Sequence, residues 1–267
     1  MKYIYAAAVI IVSLVSCGIE DYPYIYSIPT GNVQNELNSR VSIFIPDSNS
    51  GNLYFTNFTV FYRIYISDRD FPSPSESDFS QINPSLYSDH SRVRGYIGND
   101  SMGSSTISTL FQNTIKYYTL SLEGTEIDHF LSDRNQVGSP PSNIFNKYLI
   151  IDFSRGESGL DTIPYMVIAD LNSGELSPRY NLLRYNGAGV YEPKPDNLYF
   201  DNTSDLLAEE NVSNEGINND VTDKSNSERK YTYVNMYILA SGIDPSTFTQ
   251  LYSSPTHIGV LKLPDIF

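Results

Sequence analysis

The chain has 267 residues and a formal net charge of −14 at neutral pH, from 17 basic and 31 acidic side chains. That balance repels phosphate backbones, so no nucleic-acid partner is expected, and it argues against adhesion to anionic lipid heads through a basic patch. A single cysteine rules out a disulfide framework. The 22 Tyr and 13 Phe, with no Trp, favour strands, because flat rings pack well on a pleated surface.

Lys2 opens the chain, and Tyr3 to Val15 follows as a mostly apolar run without charge. Leu14-Val15-Ser16-Cys17 closes that run with a small residue just before the lone cysteine. The stretch is too short to cross a bilayer, which takes about 20 residues in helix. A basic start, a short apolar core and a small-residue end are the secretory layout. An ordinary cleaved signal needs no cysteine here, and an uncleaved anchor needs a longer apolar segment. The ending resembles the lipobox of bacterial lipoproteins. That resemblance implies a signal peptide over residues 1–16, removal of the leader, and a mature protein starting at a lipidated, palmitate-bearing Cys17. It also implies attachment to the membrane through that lipid, in the cell envelope, on the outer membrane where the cell has one, facing the periplasm or the outside. The Tyr/Asn/Ile/Ser-rich style of the remainder is similar to that of spirochaete envelope lipoproteins.

Residues 17–30, with Pro23 and Pro29, read as a lipidated tether into a domain spanning 31–267. Alternation begins at Val41, Ile43 and Ile45. The clearest strand is Phe58 to Ile66, where Phe58, Val60, Tyr62, Ile64 and Ile66 share one face. Pro74 to His90 reads as a short helix or turn that Pro84 limits. Strand composition returns at Arg92–Ile97, Ile115–Leu122, Lys147–Phe153, Ile163–Ala169 and Tyr180–Tyr185. Most of the acidic, Asn- and Ser-rich stretch at about 196–230, apart from the apolar Leu198–Phe200 and Leu206–Ala208, reads as a long mobile loop. Tyr231 to Ala240 is the second well-patterned strand, with Thr232, Val234, Met236, Ile238 and Ala240 on one face. Tyr231, Tyr233 and Tyr237 lie on the other, as a candidate binding surface. His257 to Pro264 reads as the last strand. Phe61–Asp68 and Asn235–Gly242 are faintly alike, which leaves open one sandwich unit or two. The expected fold is all-β: an antiparallel β-sandwich of the immunoglobulin or fibronectin type III kind, with long loops and little helix.

Motifs that carry chemistry are scarce. His90, His129 and His257 share no ligand spacing and read as surface or loop histidines. Gly156-Glu157-Ser158-Gly159 and Ser227-Glu228-Arg229-Lys230 match only fragments of hydrolase patterns. Asp170-Leu171-Asn172-Ser173-Gly174-Glu175 starts like a calcium loop, but Gly174 is one position early and Asn181 stands where a glutamate belongs. A β-turn explains it better. Asp68 and Asp70 are a candidate cation pair at a sandwich edge. No catalytic residue, metal ligand or cofactor is assigned. The expectation is a non-enzymatic envelope lipoprotein displaying its sandwich. The alternative is an adhesin-like module that grips an extracellular protein or glycan through exposed tyrosines; a hydrolase using two carboxylates comes third.

Overall fold

The computed structural model describes residues 24–37, 39–97, 102–107, 110–111, 115, 117–123, 131, 144–154, 164–170, 172–184, 200, 221–222 and 231–264. The leader, Cys17, His129, the Gly156–Gly159 stretch and Ser227–Lys230 lie outside them.

Two seven-stranded sheets pack face to face, as the alternation predicts. Sheet 1 runs β1 (Val33–Leu37), β2 (Arg40–Ile45), β7 (Lys147–Asp152), β8 (Tyr165–Asp170), β10 (Tyr180–Leu183) and β6 (Ser121–Leu122), with β9 (Glu175–Leu176) on β8. Sheet 2 runs β11 (Val221–Thr222), β3 (Phe55–Ser67), β12 (Tyr231–Ile243), β13 (Gln250–Tyr252) and β4 (Met102–Gly103). There β14 (Thr256–Lys262) also pairs with β12, and β5 (Tyr118–Thr119) with β3. All described pairings are antiparallel except β11 on β3.

Period-two alternation sends Val41, Ile43 and Ile45 of β2, Leu149 and Ile151 of β7, and Met166 and Ile168 of β8 into one apolar layer. They meet Phe58, Val60, Tyr62, Ile64 and Ile66 of β3 and Val234, Met236, Ile238 and Ala240 of β12. Burying each such side chain contributes about 1.5–3 kcal/mol. The long strands of both sheets share this one core, so the described residues form a single sandwich. The likeness of Phe61–Asp68 to Asn235–Gly242 belongs to two strands of equal length lying side by side, paired from Tyr231↔Ser67 to Gly242↔Phe55.

Three expectations need correction. Residues 24–30 are more than a tether: Ile25 and Ile28 are buried in the sandwich core. Tyr26 N donates to Asn49 Oδ1 at 2.9 Å, Asn49 Nδ2 returns a bond to Tyr26 O at 2.7 Å, and Asn52 Nδ2 donates to Tyr24 O at 2.8 Å. Arg92 to Ile97 is not a strand but the end of a helix and the turn after it. The stretch after Pro74 forms a 3₁₀ turn (Glu76–Asp78), α1 (Phe79–Ile82) and α2 (Pro84–Arg94). Pro84 starts α2 rather than limiting it, since a proline at the first helical position gives up no bond, and Asn83 Oδ1 caps the helix by accepting from Ser85 N at 2.8 Å. Within the acidic stretch, Phe200 is buried in the core and Val221–Thr222 add a strand to sheet 2, so these parts of it are built into the fold.

The Asp170 segment forms the expected turn between β8 and β9. Asp170 Oδ1 accepts from Asn172 N at 2.9 Å, and Gly174 takes a φ of 72°. Asp70 Oδ1 pairs with Lys262 Nζ at 2.9 Å.

Candidate functional site

The second face of sheet 2 is covered as well. Leu86, Asp89, His90 and Val93 lie at i, i+3, i+4 and i+7 on α2 and are buried against it. Two apolar clusters result. Tyr65, Phe79, Ile82, Leu86, Tyr233 and Val260 form one. Phe61, Val93, Phe111, Ile115, Tyr117 and Tyr237 belong to the other. A polar network fills the space between them.

The candidate binding tyrosines are the floor of this layer rather than an exposed surface, which removes the main support for that expectation. Tyr233 and Tyr237 are fully buried and Tyr231 half-buried, with Lys262 Nζ 4.8 Å from its ring centre. Tyr233 Oη accepts from Phe71 N at 2.8 Å and donates to Arg69 O at 3.0 Å. The cause is α1 and α2, which roof the face that β12 presents away from sheet 1.

The network begins at Asp89. Its Oδ2 accepts from Arg63 Nη1 at 2.8 Å and from Tyr65 Oη at 2.7 Å. Arg63 Nη1 also donates to the Ile115 carbonyl. Tyr65 and Tyr117 hydroxyls lie 3.1 Å apart. Because Tyr65 has given its only proton to the carboxylate, Tyr117 is the donor of that contact. Tyr117 Oη in turn accepts from Asn235 Nδ2 at 2.7 Å. That fixes the amide, so Asn235 Oδ1 faces His257 and accepts from its Nε2 at 2.8 Å. The proton therefore sits on Nε2 of His257, and Nδ1 holds the lone pair.

His257 reaches this side of the sheet through a β-bulge. Asn235 pairs with Val260 and Met236 with Gly259, but Tyr237 then pairs with His257, leaving Ile258 as the extra residue. Gly259 takes a φ of 140°, a backbone region that side chains disfavour. Without the extra residue, strict alternation would aim His257 into the sandwich core; with it, Ile258 takes the core position.

His90 and His257 thus meet, their ring centres 4.7 Å apart. His90 Nδ1 is 2.7 Å from Tyr237 Oη, and the ring stands edge-on to Phe79 at 5.0 Å. Its Nε2 is buried and makes no hydrogen bond among the described residues, with Glu76 Oε1 3.5 Å away. Glu76 is exposed, and its Oε2 accepts from Arg94 Nη1 at 3.0 Å. The sequence reading of the histidines as surface or loop residues is overturned for His90, which is buried, and for His257, which is half-buried within the cluster. No spacing rule finds them, since one sits on a helix and the other on the last strand.

Burial sets the protonation states. It pushes His257 down to about 3, with neighbouring His90 adding to the effect. It also lowers His90, against the pull of Glu76. Both imidazoles are neutral at pH 7. Burial raises Asp89 above the usual carboxylate range, although Tyr65 and Arg63 both favour its charge. The phenols of Tyr65, Tyr117 and Tyr237 lie well above their ordinary value of 10.0, burial being the first cause in each.

An alkaline limit on stability follows. Unfolded phenols ionise near pH 10, whereas these three keep their protons when folded. The folded state then holds more protons, and stability falls as pH rises above the unfolded value. Ultraviolet titration is expected to show a late group of phenols that ionise only together with unfolding. Tyr117→Phe should shrink that late step; smooth titration of every phenol around pH 10 would contradict the burial described.

Comparison with protein-family models, with curated proteins and with solved structures gave no match. The chemistry of the site rests on its own geometry.

Proposed function

We propose that this protein is a lipid-anchored bacterial envelope protein, held to its membrane through Cys17, which displays the sandwich as a non-enzymatic module. The observation that carries the reading is Leu14-Val15-Ser16-Cys17 at the end of an uncharged apolar run, with no other cysteine in the chain. Two acyl chains, at about 0.8 kcal/mol per buried methylene, hold a protein stably without a membrane-crossing helix. Among the described residues no helix is long and apolar enough to cross a membrane.

The docking of residues 24–30 gives this anchor a mechanical consequence. Only residues 18–23 separate Cys17 from the segment that enters the core, and a fully extended chain of that length spans at most ~25 Å. The sandwich then rides close to the bilayer rather than on a long stalk. Cys17→Ser is expected to move the protein from the detergent phase to the aqueous phase and to abolish incorporation of labelled palmitate. Detergent partition unchanged by that substitution would refute the anchor. Protease added to intact cells reads the side of the membrane through Lys224, Arg229 and Lys230 in the acidic stretch: loss of the protein means display outside, and protection means the periplasmic face.

A further inference from the structure

We propose that Glu76, His90 and His257 form a binding site for a divalent transition cation of the zinc type, on the helix-covered side of sheet 2. Their ligand atoms all lie within 4.8 Å of one another. Zinc bonds nitrogen and carboxylate oxygen at about 2.0–2.2 Å, which places donor pairs around a tetrahedral ion about 3.3–3.5 Å apart. Glu76 Oε1 is already 3.5 Å from His90 Nε2, and Glu76 is exposed, so a small shift of side chains brings the three donors to that spacing, at the cost of the Arg94 contact to Oε2.

The strongest sign is the orphaned Nε2 of His90. The side chain is 5% exposed, and Nε2 faces a carboxylate oxygen at 3.5 Å without a well-formed hydrogen bond. As a lone pair it opposes the carboxylate's own, and as a donor it makes at most a long, weak contact. A buried polar atom left in this state costs stability. A cation between nitrogen and carboxylate satisfies both at once.

The surrounding bonds have the pattern of supports behind metal ligands, where the far ring nitrogen is tied to an oxygen. His90 Nδ1 sits on Tyr237 Oη and His257 Nε2 on Asn235 Oδ1, at 2.7 and 2.8 Å. Each ring is oriented and leaves one nitrogen for a ligand. Two imidazoles and one carboxylate suit zinc, cobalt or nickel; calcium and magnesium prefer oxygen alone. The exposed Glu76 marks the solvent side, where a water completes four-coordination. Arg94 competes for Glu76 through Oε2 and sets a limit on affinity.

The test uses the full chain with Cys17→Ser, which leaves it without lipid or thiol, and a chelator to strip bound metal. Calorimetric titration with zinc chloride at neutral pH is expected to show one equivalent bound. Cobalt should give the intense visible bands of a four-coordinate ion. Glu76→Gln keeps an exposed polar side chain and should leave the urea midpoint unchanged while weakening zinc at least ~100-fold, beyond the 10–100-fold typical of a lost supporting contact. His257→Gln should abolish the cobalt bands, and His129→Gln should leave them intact. Absence of stoichiometric binding overturns the site. So does binding that Glu76→Gln and His257→Gln leave unchanged, which would mark an adventitious ion only.

Discussion

Asp89→Ala is expected to destabilise the fold by ~3–5 kcal/mol, the cost of stranding a buried charge. The carboxylate is the acceptor for both Arg63 Nη1 and Tyr65 Oη. Arg63 comes from the middle of β3, opposite Asn235 of β12, and its side chain is only 14% exposed, so its guanidinium has little water to turn to. With the carboxylate gone, only the Ile115 carbonyl remains for Nη1, and Nε has no hydrogen-bond partner among the described residues. Tyr65 loses its acceptor in the same step. The raised pKa of Asp89 carries a second expectation. Burial disfavours its charge by more than Arg63 and Tyr65 restore, so the pair as a whole is a poor source of stability. The double variant Arg63→Met/Asp89→Leu should therefore recover most of what Asp89→Ala loses. Urea unfolding of the two single variants and the double gives the coupling directly. A mild Asp89→Ala, or a double variant as damaged as the single, would show that the pair is not buried as described.

The same sheet shows why some features were legible in the sequence and others were not. Strands β2, β3 and β12 announce themselves because their sandwich faces are unbroken aliphatic and aromatic series at period two. Their opposite faces mix tyrosine with Arg63 and Asn235, which reads as a solvent face. Its burial depends on α2, whose own apolar stripe is interrupted by Asp89 and His90, the residues the network uses. Polar residues on its buried side blur the helix signal, so the sequence reading stops at His90 and gives the last turn, from Arg92, to a strand. Without that roof, the tyrosines of β12 read as an outer face. The histidine cluster was hidden twice over. His90 and His257 lie on elements remote in sequence, and the bulge at Ile258–Gly259 reverses the face that simple alternation assigns to His257. Gly259 within an apolar strand was the available signal, since an isolated glycine there often marks a bulge.

Gly242→Ala is expected to be the most damaging single methyl addition among the described glycines, at ~3 kcal/mol or more, the upper end of overpacking costs. A Cβ there would lie 2.0 Å from the Tyr54 carbonyl oxygen, 2.5 Å from Ile25 Cδ1 and 2.8 Å from the Tyr54 carbonyl carbon. Two of those atoms are backbone and cannot rotate away. Tyr54 O is held in place by Ile243 N at 2.9 Å, and Thr56 Oγ1 ties the neighbouring Ser241 carbonyl at 3.0 Å. The register of β12 against β3 already shifts between Ser241 and Gly242, which brings the two backbones together at this point. The backbones of β12 and Tyr54 must part, and Ile25, whose Cδ1 shares the space, is displaced with them, loosening the docked segment at residues 24–30. Hydrogen exchange in that segment should accelerate in the variant while the centre of β3 keeps its protection, alongside a lower urea midpoint. Gly31→Ala, where a Cβ meets nothing within 4 Å, is the control and should stay within ~0.5 kcal/mol of the parent. If Gly242→Ala proves equally mild, the close approach of β12 to Tyr54 is wrong. If the midpoint falls without faster exchange at residues 24–30, the strain is taken up in the sheet, and the segment nearest Cys17 is held by Asn49 and Asn52 rather than by Ile25.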